Sequence, residues 1–302
     1  MPILFKDQVY QFTPATVPNT AKTVIQDLPY ATGSRHTLDI YLPSGVKSFP
    51  VILDLYGGGL LRGKKSSFKL NPSLRFLTDQ FAVISMDYRL NVPPYCEFPN
   101  QIAEIRAALD FLTRNATMYN LDMQHVILIG ESSGAQLAML AAASFAANVT
   151  LGHIPNHRFL DQFPKVAGVI GMYGPYQVDQ FATQFNQLHI IPKFLETGSA
   201  IAFEGIMLQG NRPDSAPSLV KQANPATYFT PSTPPTLLIA GTKDHVVPYL
   251  QSLKLAEDYY RLVGKKPTTL IIPNADHGTS DYNTSAIYYE KLAFINEHIK
   301  AV

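Results

Sequence analysis

The chain contains little cysteine and few charged residues. Of its 302 residues, only Cys96 is a cysteine, 16% are charged, and the formal net charge is +1. A single cysteine cannot form an internal disulfide, which excludes a small secreted fold held together by disulfides. The densest basic cluster is Arg62, Lys64 and Lys65, which is too sparse for a nucleic-acid-binding surface, so we expect no nucleic-acid partner.

Long apolar runs are also missing. The longest strongly apolar stretch, residues 137–147, is too short to span a bilayer, and the first ten residues lack the charged region and apolar core of a signal peptide. We therefore expect no membrane span and a cytoplasmic location. A chain of 302 residues can form one large α/β unit, and we predict a single domain over residues 1–302.

Strand-like and helix-like segments alternate over most of the chain. Near-continuous apolar runs are typical of parallel strands that are buried on both faces. Such runs occur at residues 50–56, 81–86, 126–129, 166–172, 236–240 and 268–272. Helical patterns occur at residues 99–114, after Ser132, and at residues 249–263 and 280–300. The alternation predicts a doubly wound, mostly parallel α/β sheet, whose ligands bind at the carboxyl ends of its strands.

Three further segments complete the predicted architecture. Residues 23–30 and 36–42 flank a Thr-Gly-Ser turn and predict an antiparallel hairpin at one sheet edge. Residues 1–24 contain proline and threonine without a sustained period, which favours an extended arm. About sixty residues separate the strands ending near 172 and starting at 236, too many for a simple connection, so we predict a partial cap at residues 176–232.

The segment Gly130-Glu131-Ser132-Ser133-Gly134 joins a predicted strand to a predicted helix. A serine on such a tight turn needs neighbours without side-chain bulk, which Gly130 and Gly134 provide. This strand-turn-helix context predicts that Ser132 is an exposed nucleophile, whereas the motif alone would indicate only a glycine-flanked turn.

Three glycines follow an earlier strand in the segment Tyr56-Gly57-Gly58-Gly59-Leu60. Their N–H groups are unshielded by side chains and can be directed at an oxyanion with little reorganisation. A flexible loop without chemical importance is the alternative. The position at the carboxyl end of a strand favours an oxyanion hole.

A serine nucleophile needs a base that removes its proton. His277 follows the last predicted strand and is flanked by Gly278, so it belongs to the same sheet edge as Ser132. His245 is a weaker alternative. The pair His153 and His157 could suggest a metal, but Pro155 opposes the helical turn that would direct both side chains at one ion, and we expect no metal site.

The base in turn needs a carboxylate that fixes its tautomer and orientation. Asp244 lies in the loop after the strand at residues 236–240 and is our preferred candidate. Asp276 is the rival, but side chains of adjacent residues normally diverge, which disfavours its pairing with His277. A cap or turn role is the ordinary alternative for Asp244.

Five segments in this order resemble the carboxylesterases of the hormone-sensitive-lipase type within the α/β-hydrolase fold. They are residues 56–59, 87–90, 130–134, 241–244 and 276–278, and the order serine, acid, histidine is that of α/β-hydrolases. The resemblance implies that the N–H groups of Gly58, Gly59 and Ser133 form the oxyanion hole. The chain departs from the family pattern at three places: Tyr56 replaces the usual histidine, Ser133 replaces the usual alanine, and Gly134-Ala135 stands where a second glycine is usual.

The sequence indicates the substrate less specifically than it indicates the catalytic residues. Apolar residues could line an acyl or alcohol pocket, and the candidates are Leu60, Phe181, Phe185 and Phe203. An apolar cleft suits a small, uncharged, short-acyl ester, which we expect as the small-molecule partner, without a cofactor. No basic cluster faces the site in the sequence, so we do not expect phosphorylated or polyanionic substrates. The alternative functions are those of an amidase, a deacetylase of acetylated sugars, or a non-catalytic ligand-binding relative. The sequence leaves open whether the chain forms a homo-oligomer.

Overall fold

One sheet runs through the part of the chain that the computed structural model describes, which comprises residues 3–45, 48–92, 97–278 and 280–299. Cys96 lies outside these residues. Within them the sheet has eight strands in the order β1-β2-β4-β3-β5-β6-β7-β8. The strands are β1 (Thr23–Pro29), β2 (Thr37–Leu42), β3 (Phe49–Leu55), β4 (Ala82–Met86), β5 (Leu121–Glu131), β6 (Gly168–Met172), β7 (Thr236–Gly241) and β8 (Thr268–Ile272).

The strand directions confirm the predicted sheet. Strands β3 to β8 pair in parallel, whereas β1 pairs antiparallel with β2, and β2 pairs antiparallel with β4. The predicted edge hairpin is therefore present, and the carboxyl ends of the parallel strands meet at one edge of the sheet.

Helices cover both faces of this sheet. The α-helices are α1 (Asn71–Leu74), α2 (Asn100–Arg114), α3 (Ala116–Tyr119), α4 (Ser133–Ala146), α5 (Phe181–Leu188), α6 (Phe203–Met207), α7 (Pro217–Ala223), α8 (Leu250–Val263) and α9 (Ser285–Ile299). Short 3-10 helices lie at Phe5–Asp7, Phe68–Leu70, Arg75–Asp79, Pro213–Ser215 and Pro225–Tyr228. None of the helices in the described ranges has both the length and the apolar composition that a membrane crossing requires.

Alternate residues of the central strands enter two separate apolar cores. Val126 and Leu128 of β5 pack in the core shared with α2, α4 and α8. Ile127 and Ile129 of the same strand pack in the core shared with α1 and α9. Burial on both faces explains the continuous apolar runs, because neither face of these strands meets water.

The last helix begins later than its apolar pattern predicted. It starts at Ser285 rather than near residue 280, because the Thr284 hydroxyl accepts a hydrogen bond from the Ile287 N–H at 3.3 Å and so caps the first turn. Before this cap, Tyr282 is buried, with its ring 4.4 Å from that of Tyr173. The chain is therefore held against the sheet edge before the helix begins.

The amino-terminal residues pack on the segment that follows β3. The Phe68 N–H donates to Thr13 O, and the Ala15 N–H donates to Ser66 O, both at 2.8 Å. The segment between β6 and β7 contains the short helices α5, α6 and α7. Both the amino-terminal residues and this β6–β7 segment reach the carboxyl edge of the sheet.

Candidate active site

Ser132 occupies the sharp turn between β5 and α4. Its backbone has φ 50° and ψ −126°, outside the regions that L-residues usually adopt. A Cβ on Gly134 would lie 2.0 Å from Leu55 O, and one on Gly130 would lie 2.3 Å from Gly134 O. The two glycines are therefore required by close backbone contacts, and the turn presents the Ser132 side chain to the cavity described below.

Three side chains from separate loops form a continuous hydrogen-bonded chain. Ser132 Oγ lies 3.0 Å from His277 Nε2, and His277 Nδ1 lies 2.8 Å from Asp244 Oδ2. When Nδ1–H donates to Asp244, Nε2 is left as the acceptor for the Ser132 hydroxyl. The structure thus brings together the three residues proposed from the sequence for nucleophile, base and orienting carboxylate.

The Asp244 carboxylate is fixed in this orientation by its own loop. Its Oδ1 accepts hydrogen bonds from the N–H groups of Val246 and Val247, each at 2.8 Å, and the residue is 1% exposed. Because Oδ1 is held by the backbone, Oδ2 is directed at the imidazole. The ring of Tyr173 packs against the His277 ring, with centroids 4.6 Å apart, and restricts the imidazole from another side.

The rival residues Asp276 and His245 pair with each other. Their Oδ2 and Nδ1 atoms are 3.2 Å apart, and Asp276 Oδ1 accepts the backbone N–H groups of His277 and His245. Burial raises the pKa of Asp276, but these hydrogen bonds outweigh it and lower the pKa below its ordinary value. Asp276 therefore contacts the backbone of His277 and not its ring.

The glycine loop after β3 is tied to the elbow by two of its N–H groups. The Gly57 N–H donates to Glu131 Oε1 at 3.2 Å, and the Leu60 N–H donates to Ser133 Oγ at 3.3 Å. Within the described residues, the N–H groups of Gly58 and Gly59 have no hydrogen-bond acceptor. Ser133 is the first residue of α4, where an N–H lacks an intrahelical acceptor. These three donors are thus available near Ser132.

Tyr56 anchors the glycine loop in place of the histidine usual in similar esterases. Its ring stacks on Tyr88 with centroids 4.4 Å apart, its carbonyl accepts the Tyr88 hydroxyl at 2.5 Å, and its hydroxyl accepts Arg35 Nη2 at 2.7 Å. Arg35 Nε also donates to Tyr88 O at 2.7 Å. Sequence reasoning missed Arg35, because it lies in the edge hairpin, far from every motif.

The hydroxyl of Ser133 links the elbow to the glycine loop. We expect Ser133→Ala to lower kcat about tenfold with little change in KM, because Leu60 loses its acceptor and the donors of the loop lose their alignment. Steady-state kinetics on a short ester measure this split.

Ser144→Ala is the matched control for this change. Ser144 is a buried serine of the same helix whose hydroxyl bonds only to Ala141 O. An equal fall in kcat for both variants would contradict the role assigned to Ser133.

Glu131, immediately before Ser132, connects several parts of the site. Its Oε1 lies 2.6 Å from Lys69 Nζ and accepts the Gly57 N–H, while its Oε2 accepts the Tyr173 hydroxyl at 2.7 Å. Burial raises the pKa of Glu131, but the Lys69 charge and these hydrogen bonds outweigh it and lower the pKa below its ordinary value. Glu131 is therefore ionised and compensates the charge of Lys69.

Two further ionisable groups are buried near this sheet edge. Burial raises the pKa of Asp54 on β3 to about 7, and the Ser73 hydroxyl donates to its Oδ2 at 2.5 Å. Burial lowers the pKa of Lys291 on α9 to about 8, and its Nζ lies 2.9 Å from Met172 Sδ. Neither residue lines the cavity, so we assign both to the support of the sheet.

A cavity of about 410 Å³ opens above Ser132 and His277. The residues along its wall are Phe5, Gln8, Tyr10, Gly57, Gly58, Gly59, Arg62, Phe68, Lys69, Glu131, Ser132, Tyr173, Lys193, Phe194, Val246, His277, Gly278 and Ser280. The rings of Phe5 and Phe194 meet edge to face at 4.9 Å, and Glu196 Oε1 accepts the Phe5 N–H at 2.6 Å. The amino-terminal residues and the β6–β7 segment therefore close one side of the cavity together.

The four apolar residues predicted to line a pocket lie beneath this wall instead. Leu60, Phe181, Phe185 and Phe203 are buried and absent from the cavity lining. Phe203 packs against Phe5 at 5.5 Å and against Phe181 at 5.6 Å between ring centroids. These rings hold the β6–β7 segment in place, whereas Phe5 and Phe194 belong to the cavity wall itself.

Comparisons with known proteins agree with this arrangement. The model of the BD-FAE family matches residues 38–259. Two curated esterases of Mycobacterium tuberculosis are similar: LipC is 24% identical over 77% of this chain and 53% of its own length, and LipQ is 27% identical over 83% and 56%. The chain thus spans about half the length of the curated relatives it matches.

A solved structure matches over a greater length. The truncated form of a carbohydrate esterase from gut microbiota has a TM-score of 0.79 and 26% sequence identity. The match covers 95% of this chain and 99% of that one. The similarity therefore extends over the whole α/β fold.

Proposed function

Because the chain belongs to the BD-FAE family, within the α/β-hydrolase fold, we propose that it is a carboxylesterase that uses Ser132, His277 and Asp244 as a catalytic triad. One observation carries the proposal. The Ser132 hydroxyl is hydrogen-bonded to an imidazole that is oriented by a buried carboxylate, at a cavity where two glycine N–H groups have no acceptor within the described part of the chain.

Acylation starts when a substrate carbonyl lies over Ser132. Ser132 Oγ attacks the carbonyl carbon while His277 Nε2 takes the hydroxyl proton, and Asp244 stabilises the imidazolium. The developing oxyanion accepts hydrogen bonds from Gly58, Gly59 and Ser133, where loss of one donor costs about 2.7–4 kcal/mol in a well-studied case. His277 then gives the proton to the leaving alkoxide as the carbon–oxygen bond breaks.

Deacylation repeats these steps with water. His277 takes a proton from water, the hydroxide attacks the acyl carbon, and the proton returns to Ser132 Oγ as the acid leaves. Every proton transfer in these reaction steps uses His277, and the reaction requires no cofactor.

The cavity favours a small ester. Its volume of about 410 Å³ lies at the lower end of ligand pockets, and the contacting rings of Phe5 and Phe194 form part of its wall. We therefore propose short acyl groups as substrates. Removal of acetyl groups from sugars is the second candidate, because it uses the same chemistry on the shortest common acyl group and because one similar structure is a carbohydrate esterase.

A panel of 4-nitrophenyl esters tests the proposal. We expect kcat/KM to be highest for acetate and butyrate and about tenfold or more lower for octanoate, because the longer chain exceeds the space that the cavity offers. Phe194→Ala should reduce this difference. An activity that rises steadily with acyl length would contradict the size limit, and inactivity on every ester would contradict the enzyme.

A further inference from the structure

Three cationic side chains that are distant in the sequence meet at the active-site cavity. Arg62 follows the glycine loop, Lys69 lies in the next 3-10 helix, and Lys193 belongs to the β6–β7 segment. The sequence indicated no basic cluster at the site, because only the fold brings these residues to one wall. The expectation of an uncharged substrate rested on an apolar cleft, and the missing cluster argued against polyanionic substrates.

Only one of the three cations is neutralised by a carboxylate. Lys69 pairs with Glu131 at 2.6 Å. Lys193 Nζ has no carboxylate within 4.0 Å among the described residues. It lies over the Phe194 ring, 5.8 Å from the ring centroid. Lys193 is also exposed, so its ammonium can move towards a bound group.

Among the described residues, the partners that hold the Arg62 side chain are neutral. Its guanidinium donates to the carbonyl of Phe5 and to the carbonyl and amide oxygens of Gln8, and it stacks on the Phe5 ring at 4.2 Å. Its backbone N–H donates to Gly58 O, which joins the residue to the glycine loop. Arg62 thus adds a fixed positive charge to the wall of the cavity.

Carboxylates contribute little to the described lining of the cavity. Glu131 is the one acidic residue in the described lining, and it is already paired with Lys69. Glu196 and Asp276 lie outside the lining, where Glu196 accepts the Phe5 N–H and Asp276 pairs with His245. A described lining with two cations that lack a carboxylate partner and one carboxylate that is already paired attracts an anion more strongly than a neutral group.

We propose that this cavity selects esters that also carry a carboxylate, which is bound by Lys193 and attracted by Arg62. The proposal rests on the proposed esterase function and adds the charge of the substrate to it. The carboxylate can belong to the alcohol part or to the acyl part of the ester, and paired substrates distinguish the two.

Two pairs of esters differ in charge and little in shape. For the alcohol side, 3-carboxy-4-nitrophenyl acetate is compared with 4-nitrophenyl acetate. For the acyl side, monomethyl glutarate is compared with methyl 5-methylhexanoate. The measured quantity is the ratio of kcat/KM for the anionic ester to kcat/KM for the neutral ester in each pair.

Variants of Lys193 give the decisive result. In at least one pair, we expect Lys193→Gln to lower the ratio about threefold and Lys193→Glu about tenfold, since each removes or reverses one charge near the cavity mouth. The matched control is Lys265→Glu, which makes the same charge change at an exposed residue before β8, at the opposite edge of the sheet. Its ratio should equal that of the unmodified protein.

The failures of the two proposals are distinguishable. An unchanged ratio in both pairs for Lys193→Glu, with neutral esters still hydrolysed, overturns the charge selection and leaves the esterase intact. No turnover of any ester by the unmodified protein overturns the esterase and, with it, the selection. Added salt is a second measurement: it should raise KM for the anionic ester alone, because screening weakens charge attraction.

Discussion

Replacing Ser132 by alanine is expected to lower kcat by about 10⁵- to 10⁶-fold, because the nucleophile that forms the acyl-enzyme is lost. The residual rate would come from substrate binding and the glycine loop. The fold should be retained, since alanine removes one hydroxyl whose partner is the His277 imidazole. Hydrolysis of 4-nitrophenyl acetate and circular dichroism on the same samples measure activity and folding together.

Ser280 provides the matched control. It is an exposed serine that lines the same cavity, and Ser280→Ala should hydrolyse the ester at nearly the original rate. A fluorophosphonate probe, which reacts with activated serines, should label the unmodified protein and the Ser280 variant but not the Ser132 variant. Labelling that survives Ser132→Ala would assign the nucleophile to another residue.

Asp244→Asn should have the second largest effect, a fall in kcat of about 10⁴-fold. The asparagine keeps the size of the side chain, but its amide group can donate to His277 Nδ1 and so stabilise the tautomer that carries a proton on Nε2. That tautomer cannot accept the Ser132 proton. The loss should therefore appear in kcat, whereas KM for a small neutral ester should change little.

The comparison with Asp276→Asn tests which carboxylate orients the base. Asp276 bonds to the backbone N–H of His277, and an asparagine oxygen can still accept that hydrogen bond. We therefore expect less than about a tenfold loss for this variant. Equal losses for the two variants would mean that the imidazole is oriented differently from the arrangement in the structure.

The fold could be predicted in detail because its signals are local. Strand β8 begins and ends at the predicted residues, and the edge hairpin and the parallel strands were indicated by turn residues and apolar runs. The predicted resemblance to α/β-hydrolase esterases is confirmed by the family match and the structural similarity. In central strands such as β4 and β6, continuous burial leaves a clear pattern in the sequence, because nearly every position is apolar.

Residues of the candidate triad were identifiable for a related reason. Each follows a parallel strand, and the carboxyl ends of these strands share one edge, so the topology alone predicts that Ser132, Asp244 and His277 approach one another. The distances between them required the structure.

The cavity wall could not be predicted, because it depends on contacts between distant loops. Phe181, Phe185 and Phe203 were candidates for their aromatic character, but buried packing requires the same character as a pocket does. Phe5 and Lys193 gave no signal, since neither lies in a periodic segment or a motif. Their positions follow from the hydrogen bond between Phe5 and Glu196 and from the Lys193 N–H donated to His245 O.

The carboxylate of Glu131 has a consequence for how substitutions combine. It touches the glycine loop through Gly57, the cationic wall through Lys69, and the aromatic ring that packs on His277 through Tyr173. A shift in any one of these neighbours is passed to the others through a single rigid side chain. Energetic effects of mutations on opposite sides of the cleft will therefore be non-additive, and this centre will evolve as one coupled unit.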